Sequence, residues 1–203
     1  MFVVTQKAFA GDDIIEKPNA ETTYGVTINA PASVIWPWLV QMGYHRAGWY
    51  IDTWWDAWSG RYFWPAIVPE SARALYLPPA NRIIPELQSL KVGDIVPDGP
   101  PNSAFFYVVG MEKNKHLLLH STSHVGLMTP AFLHGSKLAA YGEFSWAFIL
   151  DRIDEHTTTL KLRMRAIYGP RLLMTLLKPL LFIIDYVHVR EMLKGIKHRV
   201  ERV

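Results

Sequence analysis

The sequence predicts an α+β fold built on an antiparallel sheet, on three observations. Short apolar runs alternate with turn residues between positions 94 and 167, the pattern of strands joined by hairpins. Near the other end, a strand passes almost without a loop into a helix at Ala30-Pro31. From Arg171 onward a long helical pattern closes the chain, apolar nearly all round at first and amphipathic later.

The elements follow in order. Tyr24, Val26 and Ile28 alternate with polar residues and predict one face of a half-buried strand. Pro31 opens the next helix, where its missing N–H costs nothing. Val34, Ile35, Trp38, Leu39 and Met42 recur at three- and four-residue spacing and give that helix an apolar face. Pro37 removes the bond to the Ser33 carbonyl and predicts a kink. A second short helix is predicted over Trp49 to Trp58, ending near Ser59-Gly60. Pro65, Pro69, Pro78, Pro79 and Pro85 then punctuate a long connection, whose functional reading is a lid over a cavity mouth.

Strands are predicted at Asp94 to Val96, Phe105 to Met111, His116 to Ser123, Tyr141 to Leu150 and Thr157 to Ile167. Between Val125 and Ala140, Gly126, Pro130 and Gly135 break the pattern and predict a second long loop. Phe144, Trp146 and Phe148 share a face, as do Leu160, Leu162, Met164 and Ala166, while Lys161, Arg163 and Arg165 point the other way. One side of the sheet is therefore expected to be apolar and the other largely wet. In the last helix Val189, Met192, Leu193, Ile196 and Val200 form the apolar stripe, whereas the run from Leu172 to Ile184 must be enclosed on several sides or face lipid.

Ile28-Asn29-Ala30-Pro31, followed by Val34, Trp36 and Leu39, resembles the opening of the SRPBCC, or START-like, superfamily. Gln41-Met42-Gly43-Tyr44 with Arg46-Ala47-Gly48-Trp49-Tyr50, and Arg82-Ile83-Ile84-Pro85-Glu86-Leu87-Gln88 before Leu90-Lys91-Val92-Gly93-Asp94, resemble a bacterial subgroup of it. The resemblance runs from about Gly11 to the C-terminus, with 1–20 expected as an N-terminal extension and 21–203 as one domain. It implies a helix-grip fold, in which a curved antiparallel sheet with two short helices after its first strand is closed by a long C-terminal helix over a hydrophobic cavity. Related cyclases, lipid-transfer domains and pollen-allergen-like proteins hold a hydrophobic small molecule there.

Composition agrees with one domain of 203 residues, half of them hydrophobic and 19% charged, which must hide apolar surface or offer some to a ligand or membrane. With no cysteine, disulfides and thiolate chemistry are excluded. Arg190, Lys194, Lys197, Arg199 and Arg202 against Glu191 and Glu201 account for the net charge of +3. Cations there complement the dipole of a last helix, and without interleaved aromatics or a recognition motif no nucleic-acid partner is expected. Met1 to Ala10 lacks the basic leader and apolar run of a secretory signal. Lys178, Pro179 and Asp185 interrupt the apolar run from Leu172 to Val187, so a cytoplasmic protein is expected, with peripheral membrane contact as the minority reading.

Several residues bear on chemistry. His116, His120 and His124 lie four apart, but on a strand same-face residues at that spacing are roughly 13 Å from each other, too far to share an ion. Neither a metal nor a cofactor is expected, since no ligand set, nucleophile elbow, phosphate loop or dinucleotide fingerprint is present. His120 alone could point into the cavity as a proton donor or acceptor, against a hydrogen-bonded place on the convex face. Arg46, between Gly43 and Gly48, could hold a carboxylate or phenolate at the entrance, or instead pair with Asp52 or Asp56. Glu86, Glu143 and Asp185 are isolated acids, and Asp185 interrupts the helix expected to cap the pocket.

The leading expectation is binding of a lipid, polyketide or isoprenoid by apolar burial, with Trp38, Trp49, Trp55, Trp146, Met164 and Ile184 in the lining. Arg46, Tyr50, Tyr107, His120 and Asp185 would orient the ligand. A cyclase or dehydrase using His120 and Asp185 as acid and base is the alternative, and a membrane-peripheral or interaction protein the third reading.

Overall fold

Alternation builds the sheet. Every second residue of Ala20–Ile28 (β1) turns inward, ending on the fully buried Ile28. The structure, a computed structural model, describes residues 9–51, 78–99, 101, 103–127, 135–137 and 139–202, with the side chains of 127, 171–174, 176–178, 180, 181 and 184 outside that description. After β1 come α1 (Ala32–Val40), β2 (Ile95–Pro97), β3 (Phe105–Glu112), β4 (His116–Ser121), α2 (His124–Leu127), β5 (Tyr141–Arg152), β6 (Thr158–Gly169) and α3 (Arg171–Val200). The six strands form one antiparallel sheet in the order β1-β6-β5-β4-β3-β2, so the first strand pairs with the last.

Register sets the two faces. Thr22, Met164, Trp146 and Leu119 lie opposite one another across four strands, and Tyr24, Leu162, Phe148 and Leu117 form the next row. These rows look toward the main core, which holds Phe106, Leu117, Leu119, Trp146, Phe148, Leu160 and Leu162. Onto this inner face pack α1 and α3, with α3 lying over β1 and β6. The buried stripe Val189, Met192, Leu193, Ile196 and Val200 is the one expected from its spacing. This is the helix-grip arrangement.

Four expectations need correction. Pro31 stands just before α1 as its N-cap and not at its first helical position, and Pro37, where a kink is expected, lies within the helix. No helix forms over Trp49–Ile51, and the rest of the second predicted helix, like 65–77 of the proposed lid, lies outside the described residues. Where the lid resumes, Ala80 N–H donates to the Ala47 carbonyl at 2.9 Å and Pro85–Leu87 makes a single 3₁₀ turn. The second predicted loop opens with the short α2, and its residues 128–134 and 138 are not described.

The outer face is the fourth. Leu118, Ala147 and Ile149 on that side are buried under Phe9, Ala10 and Ile14 rather than wet. Arg163 is buried there too, its Nε donating to Asp12 Oδ1 at 2.5 Å and its Nη2 lying 2.9 Å from Glu21 Oε2. Arg165 pairs with the same two acids at 3.2 and 2.9 Å and donates to the Ile15 and Glu16 carbonyls. The segment before β1 is thus strapped across the sheet. Among the described residues no helix is long and apolar enough to cross a membrane, although Phe182, Ile183 and Tyr186 of α3 are exposed.

Candidate functional site

The end of α1 is held by a polar knot. Gln41 is fully buried and fully used: its Nε2 donates to Tyr50 Oη at 2.9 Å and to the Arg82 carbonyl at 3.1 Å, and its Oε1 accepts from Ile84 N–H at 2.9 Å and Gln88 Nε2 at 3.2 Å. This joins the segment 41–50 to the segment 82–88 across the end of α1. Tyr50 Oη donates in turn to the Trp38 carbonyl at 2.9 Å, and its ring lies edge-on to Trp38 and beneath the Arg199 guanidinium. Arg46 donates to the Met42 and Val40 carbonyls at 2.9 and 2.8 Å, closing the end of α1. Gly43, at a φ of 124°, allows this fold-back, since a Cβ there would stand 2.9 Å from Arg46 Cδ and 2.8 Å from Val96 Cγ1. Trp38 and Tyr50 are buried within this knot, while Arg46, half-buried, has its guanidinium on the backbone at the end of α1.

Beyond the knot, the inner face carries an aromatic array. Phe106 and Trp146 have ring centres 5.0 Å apart, Phe106 and Phe144 5.4 Å, and Trp49 stands at 88° to Trp146 at 5.6 Å. Trp49, Phe144 and Met164 in this region are only half-buried. Both indole nitrogens, Trp49 Nε1 and Trp146 Nε1, are sealed from water and have no hydrogen-bond partner among the described residues. From α3, His188 lies 6.4 Å from the Trp146 ring, and burial holds its imidazole below the ordinary histidine range against the opposing pull of Asp98.

A hydrogen-bonded chain borders the array. His124 packs on Phe106 and Phe144 at 4.7 and 4.9 Å, with Nε2 2.7 Å from Asp98 Oδ2 and Nδ1 2.5 Å from Ser121 Oγ. A carboxylate on Nε2 favours the tautomer with its proton there, leaving Nδ1 to accept from the serine hydroxyl. Ser121 Oγ also accepts from Ser123 N–H, and Ser123 bridges to the Phe105 backbone, which ends β4 two residues earlier than expected.

The β1 side of the inner face holds Tyr24 and Asp185. Tyr24 Oη donates to Asp185 Oδ2 at 3.1 Å, and the Tyr24 and Tyr186 rings are 5.9 Å apart. Burial pushes the Asp185 carboxyl up to about 6, against the lowering effect of that hydrogen bond. Burial beside this carboxyl likewise pushes the Tyr24 phenol up to about 12.

Two predicted residues are on the other face. His120 lies opposite Ser145 and Tyr107, shares the side of Leu118, and places Nε2 2.8 Å from Glu143 Oε2. It takes the convex-face position, away from the array, and Tyr107, 40% exposed, goes with it. Glu86 is exposed, Trp55 lies outside the described residues, and so does the Ile184 side chain. Trp49, Trp146, Met164 and Asp185 remain on the inner face. Asp98, Ser121 and His188 were missed, and His124 was weighed only as a metal ligand. For His188 a signal existed: Asp185, His188, Val189 and Met192 recur at the spacing of one helix face.

No family model and no curated protein sequence matches the chain. Solved structures of similar shape include norcoclaurine synthase from Thalictrum flavum, at 12% identity and a TM-score of 0.49, covering 100% of this chain and 99% of that one. A protein from Mesorhizobium loti matches at 12% identity and a TM-score of 0.45, covering 91% and 98%. An aromatase/cyclase from a Streptomyces species matches at 10% identity and a TM-score of 0.37, covering 90% and 94%. At these identities and superpositions no chemistry is carried from those proteins to this chain.

Proposed function

We propose that this chain binds a hydrophobic small molecule, a lipid, polyketide or isoprenoid, on the inner face of the sheet beside α3, with an oxygen of the ligand accepting from Trp146 and Trp49. The observation that carries this reading is the pair of buried indole N–H groups with no acceptor. An unmet buried donor costs about 1–3 kcal/mol. A perpendicular ring face is a poor substitute acceptor, so an entering carbonyl or hydroxyl oxygen would recover most of that cost. The half-buried Phe144, Met164 and Trp49 supply apolar contact at about 25 cal/mol per Å² removed from water.

Native mass spectrometry of the purified protein, followed by extraction, identifies what co-purifies. Titration of a hydrophobic panel by tryptophan emission then gives affinities. In Trp146→Phe, which keeps the ring and removes the donor, carbonyl-bearing ligands are expected to bind about tenfold more weakly, while hydrocarbons of the same size are unchanged. Equal effects on both would remove the hydrogen bond from the reading, and a panel that never binds would end the reading itself.

The cyclase or dehydrase alternative is favoured by the Asp98-His124-Ser121 chain beside the array, which could move a proton. His120, on the convex face, has no part in it. Loss of turnover in His124→Gln with ligand affinity kept would support it, whereas full turnover in both His124→Gln and Asp185→Asn would exclude both side chains from a reaction.

A further inference from the structure

We propose that the junction of β1 and α3 takes the ammonium end of a hydrophobic cation, with the Asp185 carboxylate as counter-ion and the Tyr24 and Tyr186 rings beside it. This rests on the hydrophobic-binding reading and narrows its ligand class.

Among the described residues the other half-buried carboxylates face basic side chains, lysine or arginine in most cases and an imidazole at Asp98 and Glu143. Asp12 meets Arg163 and Arg165, Asp98 meets His124, Glu143 meets His120, Asp151 meets Lys161, and Glu191 meets Lys194 and Arg190. Asp94 accepts the Lys91 N–H and feels the charge of Arg46. Asp185 has a phenol instead. Tyr24 Oη occupies Oδ2 at 3.1 Å, and among the described residues no Lys, Arg or His forms an ion pair with the carboxyl. Among the described residues no donor is recorded to its second oxygen, and the residue is only half-buried.

Withdrawing a carboxylate from water without a cation is costly, and a bound ammonium removes that cost where a neutral or anionic ligand head does not. The rings suit the same guest. Tyr24, whose hydroxyl meets the carboxyl, and Tyr186 have ring centres 5.9 Å apart inclined at 54°, and Tyr186 is 44% exposed, so aromatic surface beside Asp185 is open to solvent. Val26 and Met164, half-buried on the same face, lie on either side of the Tyr24 row and supply apolar surface there.

The groups around Asp185 leave its titration readable. From β1 it faces Tyr24, and from α3 Tyr186 and, one turn on, His188, which burial keeps toward the neutral form; the adjacent β6 residues on this face are Leu162 and Met164. With the carboxyl pushed up to about 6, it is ionised at pH 7.5 and mostly protonated at pH 5, while an alkylamine stays charged throughout.

The test compares dodecylamine with dodecanol below their aggregation limits, binding each to the full chain by calorimetry and tryptophan emission. At pH 7.5 the amine is expected to bind at least about tenfold more tightly than the alcohol, and this advantage should shrink about tenfold by pH 5 while alcohol binding holds. Asp185→Asn should erase the advantage and leave dodecanol affinity unchanged. Equal affinities in the unmodified protein, an amine preference that survives Asp185→Asn, or one that ignores pH would overturn the proposal while leaving hydrophobic binding intact. Failure of both compounds to bind would instead strike the hydrophobic-binding reading, and this one with it. Should Asp185→Asn fold poorly, the pH series on the unmodified protein decides.

Discussion

Gly195→Ala is expected to destabilise the protein by about 3 kcal/mol, lowering Tm by roughly 10 °C. A methyl group at this position would stand 1.7 Å from the Tyr50 carbonyl oxygen and 2.8 Å from its carbon. Those atoms are backbone and cannot swing aside. Tyr50 itself sits at a φ of 60°, unfavourable for its type, held there by Gln41, the Trp38 carbonyl and the Arg199 guanidinium stacked at 4.9 Å. Arg199 in turn donates to the Gly195 and Ala80 carbonyls at 3.1 and 2.8 Å, so forcing α3 away from Tyr50 loosens all of these contacts together. The same substitution at Gly126, where no atom of the described residues lies within 4 Å of the new methyl group, provides the control. Calorimetry showing Gly195→Ala within about 2 °C of the parent would refute this account of the junction.

Arg163→Met should cost about 3–5 kcal/mol. The guanidinium is 6% exposed and holds Asp12, Glu21 and, through Nη1 at 3.0 Å, Thr23 Oγ1, with Phe9 beneath it at 4.9 Å. Removing it leaves two carboxylates to Arg165 alone. Acid should expose the same network. Burial by itself would raise the Asp12 carboxyl, but the Arg163 hydrogen bond, the Phe9 amide and the charges of Arg163 and Arg165 outweigh it and hold the group below its usual 3.8. Its contribution is therefore complete above pH 3.8 and is lost as pH falls through the lower folded value. Urea unfolding across acid pH should show that loss in the parent and much less of it in Arg163→Met. Equal acid slopes would separate Asp12 from this effect.

Strands and helices were legible because their periodicity is direct: the alternation of β6 and the stripe of α3 appear in the structure where the spacing put them. The placing of His120 failed for a physical reason. Leu117, Leu118 and Leu119 are consecutive and all buried, because the outer face is covered by Phe9, Ala10 and Ile14 as the inner face is by the helices. With both neighbours apolar, alternation no longer says which way His120 points. Tyr107, in a run of apolar residues, suffers the same loss. Trp38 and Tyr50 show a different limit, since bulk and aromaticity suit a sealed core as well as a ligand surface. Asp98, Ser121 and His124 meet through two turns distant in sequence, and neither turn announces its partner.

The strap across the outer face joins the beginning of the chain to nearly its end. Phe9, Asp12 and Ile15 precede by some 150 residues Arg163 and Arg165, which secure them. β1 waits likewise, because its one neighbour in the sheet is β6. The β3–β4 hairpin and β5 need no such delay, so the apolar side chains of β1 stay without their sheet partner until β6 has been made. Pulse-labelled hydrogen exchange during refolding is expected to protect amides of β3, β4 and β5 before those of β1; the reverse order would mean that the closing of the chain's two ends leads assembly instead of completing it.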